Sequence, residues 1–248
     1  MRFLLDRFFK NIPFVYYIWE KCLNFIDAKY YDKNCTNYKI IPLGTYCLPR
    51  VITSLNRMKP KKFYGEKTTV FDLTFFNNLE FNADLIENNF STLFDDLVYD
   101  EKSHSYKRED NKVIFYHEYE KSIPELKEIY SKRIDNFWEY FLDKTKFIYF
   151  LIAISTAFSK EEVIKLRNVL AKYRPCDEFK IIIINQSKQK IESFENIRII
   201  DFTDDKNFEA INTKGTWALE LKKQKTRPAK EFYKKINDEL KEIIKNKE

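Results

Sequence analysis

Three stretches of this chain, residues 147–154 (FIYFLIAI), 179–184 (FKIIII) and 197–202 (IRIIDF), are apolar and rich in β-branched residues, without polar alternation. A strand of that kind needs cover on both faces, which a parallel sheet sandwiched between helices provides. The spacer 159–173 fits the crossover, with Ser159 and Glu162 at the spacing of a capping box opening a helix. Upstream, 38–43 (YKIIPL) reads as a buried strand ended by Gly44, and 48–58 as a helix with Pro49 in its first turn. The pattern predicts one layered α/β domain over 38–220, with a mostly parallel sheet flanked by helices. An N-terminal apolar helical segment (1–30) and a C-terminal basic amphipathic helix (228–245) complete the layout.

Between the first strand and the long apolar runs the pattern is less regular. Residues 68–76 (TTVFDLTFF) read as a strand or a tight apolar turn, and 79–97 as two short helical patterns. Residues 100–111 are polar, a loop or hairpin turn carrying His104. Residues 112–117 (KVIFYH) read as a strand ending at His117, where period two places Val113, Phe115 and His117 on one face. Helical spacing runs from Glu125 to Lys144 through Leu126, Ile129, Ile134, Phe137, Trp138 and Phe141.

Scarce residues narrow the chemistry. Among 248 residues only 3 are Gly (Gly44, Gly65 and Gly215), against roughly 17 at average usage. Neither a G-x-G-x-x-G turn nor a Walker loop can be written, so nucleotide chemistry built on those motifs is excluded. With His104 and His117 the only histidines, a multi-histidine metal site is excluded. Cys22, Cys35, Cys47 and Cys176 show no zinc-ligand spacing. No metal or cofactor is expected.

The net charge is 44 − 38 = +6, and residues 222–248 hold ten Lys/Arg against five Asp/Glu. A solvated helix accounts for that excess, and no basic stripe with interleaved aromatics indicates nucleic acid. Asp6, Arg7 and Lys10 interrupt the N-terminal apolar stretch before a signal-type core can form. A cytoplasmic chain with reduced thiols is the expectation. Within residues 1–26, Val15, Ile18, Trp19, Cys22 and Ile26 recur at helical spacing, while Arg2, Arg7, Lys10 and Lys21 supply charge. Three readings stand for this segment. It packs on the domain, lies on the inner membrane as an interfacial helix, or meets another copy.

Cys47 is the thiol with a mechanism attached. It follows the first strand and precedes a helix, whose unsatisfied N–H groups and positive dipole end favour a thiolate. Amides near 48–50 are in place to hold an oxyanion. A buried structural cysteine fits the same position. His117 reads as a base, or as a core or surface histidine. Asp72, inside the apolar triplet Phe71-Asp72-Leu73, reads as a cap or as a deliberate polar group. Together Cys47, His117 and Asp72 suggest nucleophile, base and orienter.

The order of motifs adds a family resemblance. Ile41-Pro42-Leu43-Gly44-Thr45-Tyr46-Cys47, then a helix, then Phe71-Asp72-Leu73, resembles the opening of a bacterial family of unknown function described as papain-like cysteine peptidases. That family shows Leu-Gly-x-x-Cys, then Pro-Phe-Asp-Trp, then a strand-end His, then a Tyr-x-x-Arg-Ile helix. Phe115-Tyr116-His117 and Tyr130-Ser131-Lys132-Arg133-Ile134 match the later parts in order, and the likeness spans roughly 38–220. Val70 and Leu73 stand where the family has Pro and Trp. The resemblance implies Cys47 as nucleophile and His117 as base, with Asp72 at the motif carboxylate. A papain fold places Cys and His in separate lobes, whereas here Cys47 tops the first strand of a layered sheet. The expected function is a cysteine-dependent hydrolase or acyltransferase acting on a peptide, acyl or glycan substrate. The alternative is a non-catalytic sugar or nucleotide-sugar binding module of surface-polysaccharide assembly.

Overall fold

A computed structural model describes residues 17–18, 21–22, 25–26, 37–56, 58–59, 67–76, 78–187, 189–203 and 226–245. Cys35, Gly65, Gly215, most of the 1–30 segment and the 204–220 end of the expected domain lie outside the described residues.

The predicted parallel sheet is present. Strands β1 (Tyr38–Pro42), β6 (Phe147–Ile154), β7 (Phe179–Asn185) and β8 (Ile197–Asp201) lie in the order β1-β6-β7-β8, every pair parallel. Period two sorts their side chains into two cores. Ile148, Phe150, Ile152 and Ile154 of β6 face one way, with Ile181 and Ile183 of β7. Tyr149, Leu151 and Ala153 face the other, with Ile182 and Ile184. Both faces are covered, so neither needed polar alternation.

The covers come from different parts of the chain. Helices α3 (Ile123–Phe141) and α4 (Lys160–Ala171) pack on the first face through Phe137, Phe141, Val163 and Leu166. Helix α1 (Leu48–Leu55) and the basic helix α5 (Arg227–Lys245) cover the second through Leu48, Ile52, Phe232, Ile236 and Leu240. Helix α2 (Leu79–Glu87) adds to the first core. Ser159 and Glu162 form the predicted capping box. A second box, Ser122 with Glu125, starts α3 two residues before the expected Glu125.

The hairpin reading of 100–111 holds, and two other expectations change. Strands β3 (Leu97–Asp100) and β4 (Ser105–Arg108) form the hairpin. With β2 (Phe75–Phe76) and β5 (Val113–Phe115) they build a second, antiparallel sheet in the order β2-β5-β4-β3. Residues 88–96 form turns rather than a second helix, and Asn89, Phe90 and Asp96 take positive φ there. Strand β5 stops at Phe115, two residues before His117. Val113 and Phe115 share a buried face, but His117 has left the ladder and is exposed.

In the N-terminal segment, Ile18, Cys22 and Ile26 are helical and exposed. Those three residues are not buried against the domain. Among the described residues no helix is long and apolar enough to cross a membrane.

Candidate functional site

Adjacent strands β1 and β6 send the chain in opposite directions at their carboxyl ends. After β1 it passes to the second face as α1, and after β6 to the first face as α4. Such a reversal opens a crevice above the strand ends, the usual ligand position in open α/β sheets. The turn carrying Cys47 therefore stands at a topological switch point.

Gly44 shapes that turn by close approach. A Cβ there would lie 2.9 Å from Pro49 Cγ and 3.1 Å from the Tyr46 carbonyl oxygen. Thr45 then ties the turn to the neighbouring strand, its hydroxyl donating to the Ala153 carbonyl at 2.7 Å. The Thr45 carbonyl accepts from the Phe76 amide at 3.0 Å, which joins the small sheet to the same turn.

Cys47 is half-buried and is the N-cap of α1, with no side-chain capping bond. Its carbonyl accepts from the Val51 amide at 3.1 Å. Pro49 has no N–H, so the expected amide cradle over 48–50 reduces to Leu48 and Arg50. Beside it, the Tyr46 hydroxyl donates to Gln186 Oε1, just beyond β7. β6 lies between β1 and β7, so this bond bridges the end of the middle strand. Burial, helped by repulsion from negative charge on the Cys47 sulfur, pushes the Tyr46 phenol well above its ordinary range. It remains a neutral donor at any physiological pH.

The other two predicted residues do not join Cys47 by hydrogen bonds. Asp72 is fully buried and its carboxylate is occupied. Lys59 Nζ donates to both oxygens at 2.8 Å, while the Thr69 amide (2.6 Å) and hydroxyl (3.2 Å) donate to Oδ2. Arg50 Nε stands 4.0 Å from Oδ1. Asp72 thus fastens the 67–76 loop to α1 and the segment after it, one helical turn from Cys47. His117 is exposed and, among the described residues, has no hydrogen-bond partner.

Glu118, the neighbour of His117, was not anticipated. It is buried, with Arg133 Nη2 2.7 Å from Oε1 and the Tyr130 hydroxyl donating to Oε2 at 3.1 Å. Thr74 continues the network, its single hydroxyl proton within reach of both the Tyr130 oxygen at 3.0 Å and the Val70 carbonyl at 2.8 Å. The Tyr-x-x-Arg spacing on α3 is therefore a clamp on the segment that carries His117. That i, i+3 pair was visible in the sequence; the carboxylate it grips was not distinguishable from its exposed neighbour Glu120.

Gln186 was also missed. It follows four consecutive isoleucines in a polar run, and a polar residue at a parallel strand's carboxyl end was the available signal. Asn185 holds the loop, accepting from the Ser187 amide (3.1 Å) and hydroxyl (2.7 Å) and donating to the Gln189 carbonyl (2.7 Å).

Among the described residues no group of three or more His, Cys, Asp or Glu is placed to hold a metal ion. Compared with known proteins, the chain matches no family model, no curated protein and no solved structure.

Proposed function

We propose that this protein is a cysteine-dependent hydrolase or acyltransferase whose nucleophile is Cys47. The observation that carries the reading is the position of Cys47, at the start of α1 and at the crevice between the β1 and β6 ends. The resemblance to the papain-like cysteine-peptidase family points to the same residue. In this reading the Cys47 thiol gives its proton to His117, and the sulfur attacks the substrate carbonyl. The leaving group departs with that proton, and water or a second acceptor then cleaves the thioester. Helix N-terminal amides of α1 stabilise the oxyanion. His117 makes no hydrogen bond to Cys47 in the free protein, and catalytic hydrogen bonds commonly form or tighten only once substrate is bound. Asp72, held by Lys59 and Thr69, acts in this scheme by fixing the loop beside α1 rather than by touching His117.

The test is the pH–rate profile of alkylation by iodoacetamide, with peptide-level mass spectrometry. Cys47 reacting at least tenfold faster than Cys22 and Cys176 near pH 7, and more slowly in His117→Ala, supports the proposal. Equal, slow labelling of all three thiols overturns it.

A second reading is favoured by the open Cys47–His117 pair and by the neutral polar groups at the strand ends. The crevice would then bind a sugar or nucleotide-sugar without chemistry, with Cys47 merely lining it. A sugar-induced rise in melting temperature that survives Cys47→Ser, together with no fast thiol, selects this reading.

A further inference from the structure

Gln186 contradicts the economy of its surroundings. It is only 9% exposed. Its Oε1 accepts from Tyr46, yet its Nε2 is buried with no hydrogen-bond partner among the described residues. A buried amide donor left unpaired costs more than a satisfied one gains. The residues around it are satisfied. Asn185 and Ser187 bond each other and Gln189, the Gln186 amide itself donates to the Ile154 carbonyl at 2.8 Å, and Thr45 is spent on Ala153. The loop is thus held in place, and one side-chain donor is left over.

The Tyr46 bond seats the Gln186 amide group against Tyr46, the residue before Cys47, and Nε2 shares the carbon of the bonded Oε1.

We propose that Gln186 is a specificity-determining residue of the crevice, its Nε2 donating to a carbonyl or hydroxyl oxygen of whatever ligand is held beside Cys47. This deepens the thiol-nucleophile reading and rests on it. The substrates it implies carry an acceptor oxygen beside the reacting carbon, as amides, esters and glycan acyl groups do. Ligands that present only hydrocarbon there would leave the donor unpaired and be disfavoured. Tyr46 is the positioning residue, since its hydroxyl orients the amide.

The test compares two alkylating probes with the same leaving group, 2-bromoacetamide, which has a carbonyl oxygen, and allyl bromide, which has none. In each the thiolate sulfur forms a bond to the CH2 carbon and bromide leaves. The ratio of the two rates at Cys47 is divided by the ratio at Cys22, an exposed thiol of the same molecule that reports intrinsic reactivity. The wild-type chain should show a normalised preference for bromoacetamide of about three- to tenfold, the worth of one neutral hydrogen bond. Gln186→Leu should bring it to about one. Gln186→Glu keeps the acceptor for Tyr46 and removes the donor, so it should also abolish the preference. It is the arm that decides if Gln186→Leu fails to fold. Tyr46→Phe should weaken the preference without removing it.

A preference that survives Gln186→Glu overturns the assignment, and so does a wild-type ratio of one at a fast-reacting Cys47. Both outcomes leave the thiol-nucleophile reading standing. Slow labelling of Cys47 by both reagents, no faster than at Cys22 and Cys176, overturns both.

Discussion

The two sheets of this protein are stabilised by different physics. The parallel sheet buries isoleucine on both faces, and its strand residues need little beyond packing and ladder hydrogen bonds. The side built from the 67–76 loop, the small antiparallel sheet and the segment after β5 adds buried charge to its apolar packing through Phe71, Phe76 and Phe115. Asp72 is gripped by Lys59, and Glu118 by Arg133 and Tyr130. Apolar packing is forgiving of substitutions that keep volume. A buried ion pair is intolerant of losing one partner yet tolerant of losing both. The candidate nucleophile stands where the two regimes meet, because Thr45 bonds Ala153 on one side and Phe76 on the other.

The contrast is sharpest in repair. Phe150→Ala, in the packed core, should cost about 3–5 kcal/mol in urea denaturation, with no charge substitution rescuing it. Asp72→Ala should cost about 3–5 kcal/mol, since it strands Lys59, whose side chain is 3% exposed. The double variant Asp72→Leu with Lys59→Met should recover most of that loss. If the double variant is as unstable as Asp72→Ala alone, Asp72 is not held mainly by its ion pair. Glu118→Gln keeps the shape and one acceptor but removes the charge facing Arg133. It should cost about 1–3 kcal/mol and speed amide exchange around 116–121 more than in β6. Uniform acceleration would show that the clamp is not local.

The turn between the regimes offers a smaller lever. Gly44→Ala forces its methyl against the Pro49 ring and the Tyr46 carbonyl, at a cost of about 1–3 kcal/mol. Because that shift moves the start of α1, Cys47 alkylation should slow by more than the stability loss explains. Unchanged labelling would mean that the Cys47 turn tolerates the movement.

Legibility followed the same division. The runs at 147–154 and 179–184 announced their strands because a doubly covered strand has no other composition available, and Ser159 with Glu162 marked α4 to the residue. The small sheet was harder to read because its strands are two to four residues long, too short for periodicity to register. Ser105-Tyr106-Lys107-Arg108 fits a loop or a hairpin, and only its pairing with Leu97–Asp100 selects the hairpin. Extending β5 to His117 failed for a related reason: Tyr116 continues the apolar run but is half exposed, and Glu118 beyond it is the buried residue. At the candidate site, the place of Cys47 between strand and helix was legible from strand, glycine and helix in succession. Gln186 and Glu118 were not, since their meaning lies in partners more than ten residues away.

Acid offers the mildest way to separate the regimes. Among the described residues three carboxylates are held below their ordinary range, and none lies on a strand of the parallel sheet. Lys107 beside Asp100, with the Lys102 amide, lowers Asp100 on β3. The Ser122 amide and hydroxyl lower Glu125 at the start of α3. Partial burial works to raise Asp143, but bonds from the Thr145 hydroxyl and amide, with Lys39, outweigh it. A carboxylate whose folded pKa is depressed contributes stability that is fully present above its unfolded value, about 3.9 for Asp and 4.3 for Glu. That contribution is lost as pH falls through the folded value. Lowering pH from 6 to 3 should therefore reduce amide protection first at 97–108 and 122–126, while 148–154 and 181–184 hold. These groups lie at the surface, so the whole effect is small and shrinks with added salt. If β6 and β7 lose protection at the same pH as the hairpin, the two sheets unfold as one cooperative unit, and the division into regimes describes contacts without describing stability.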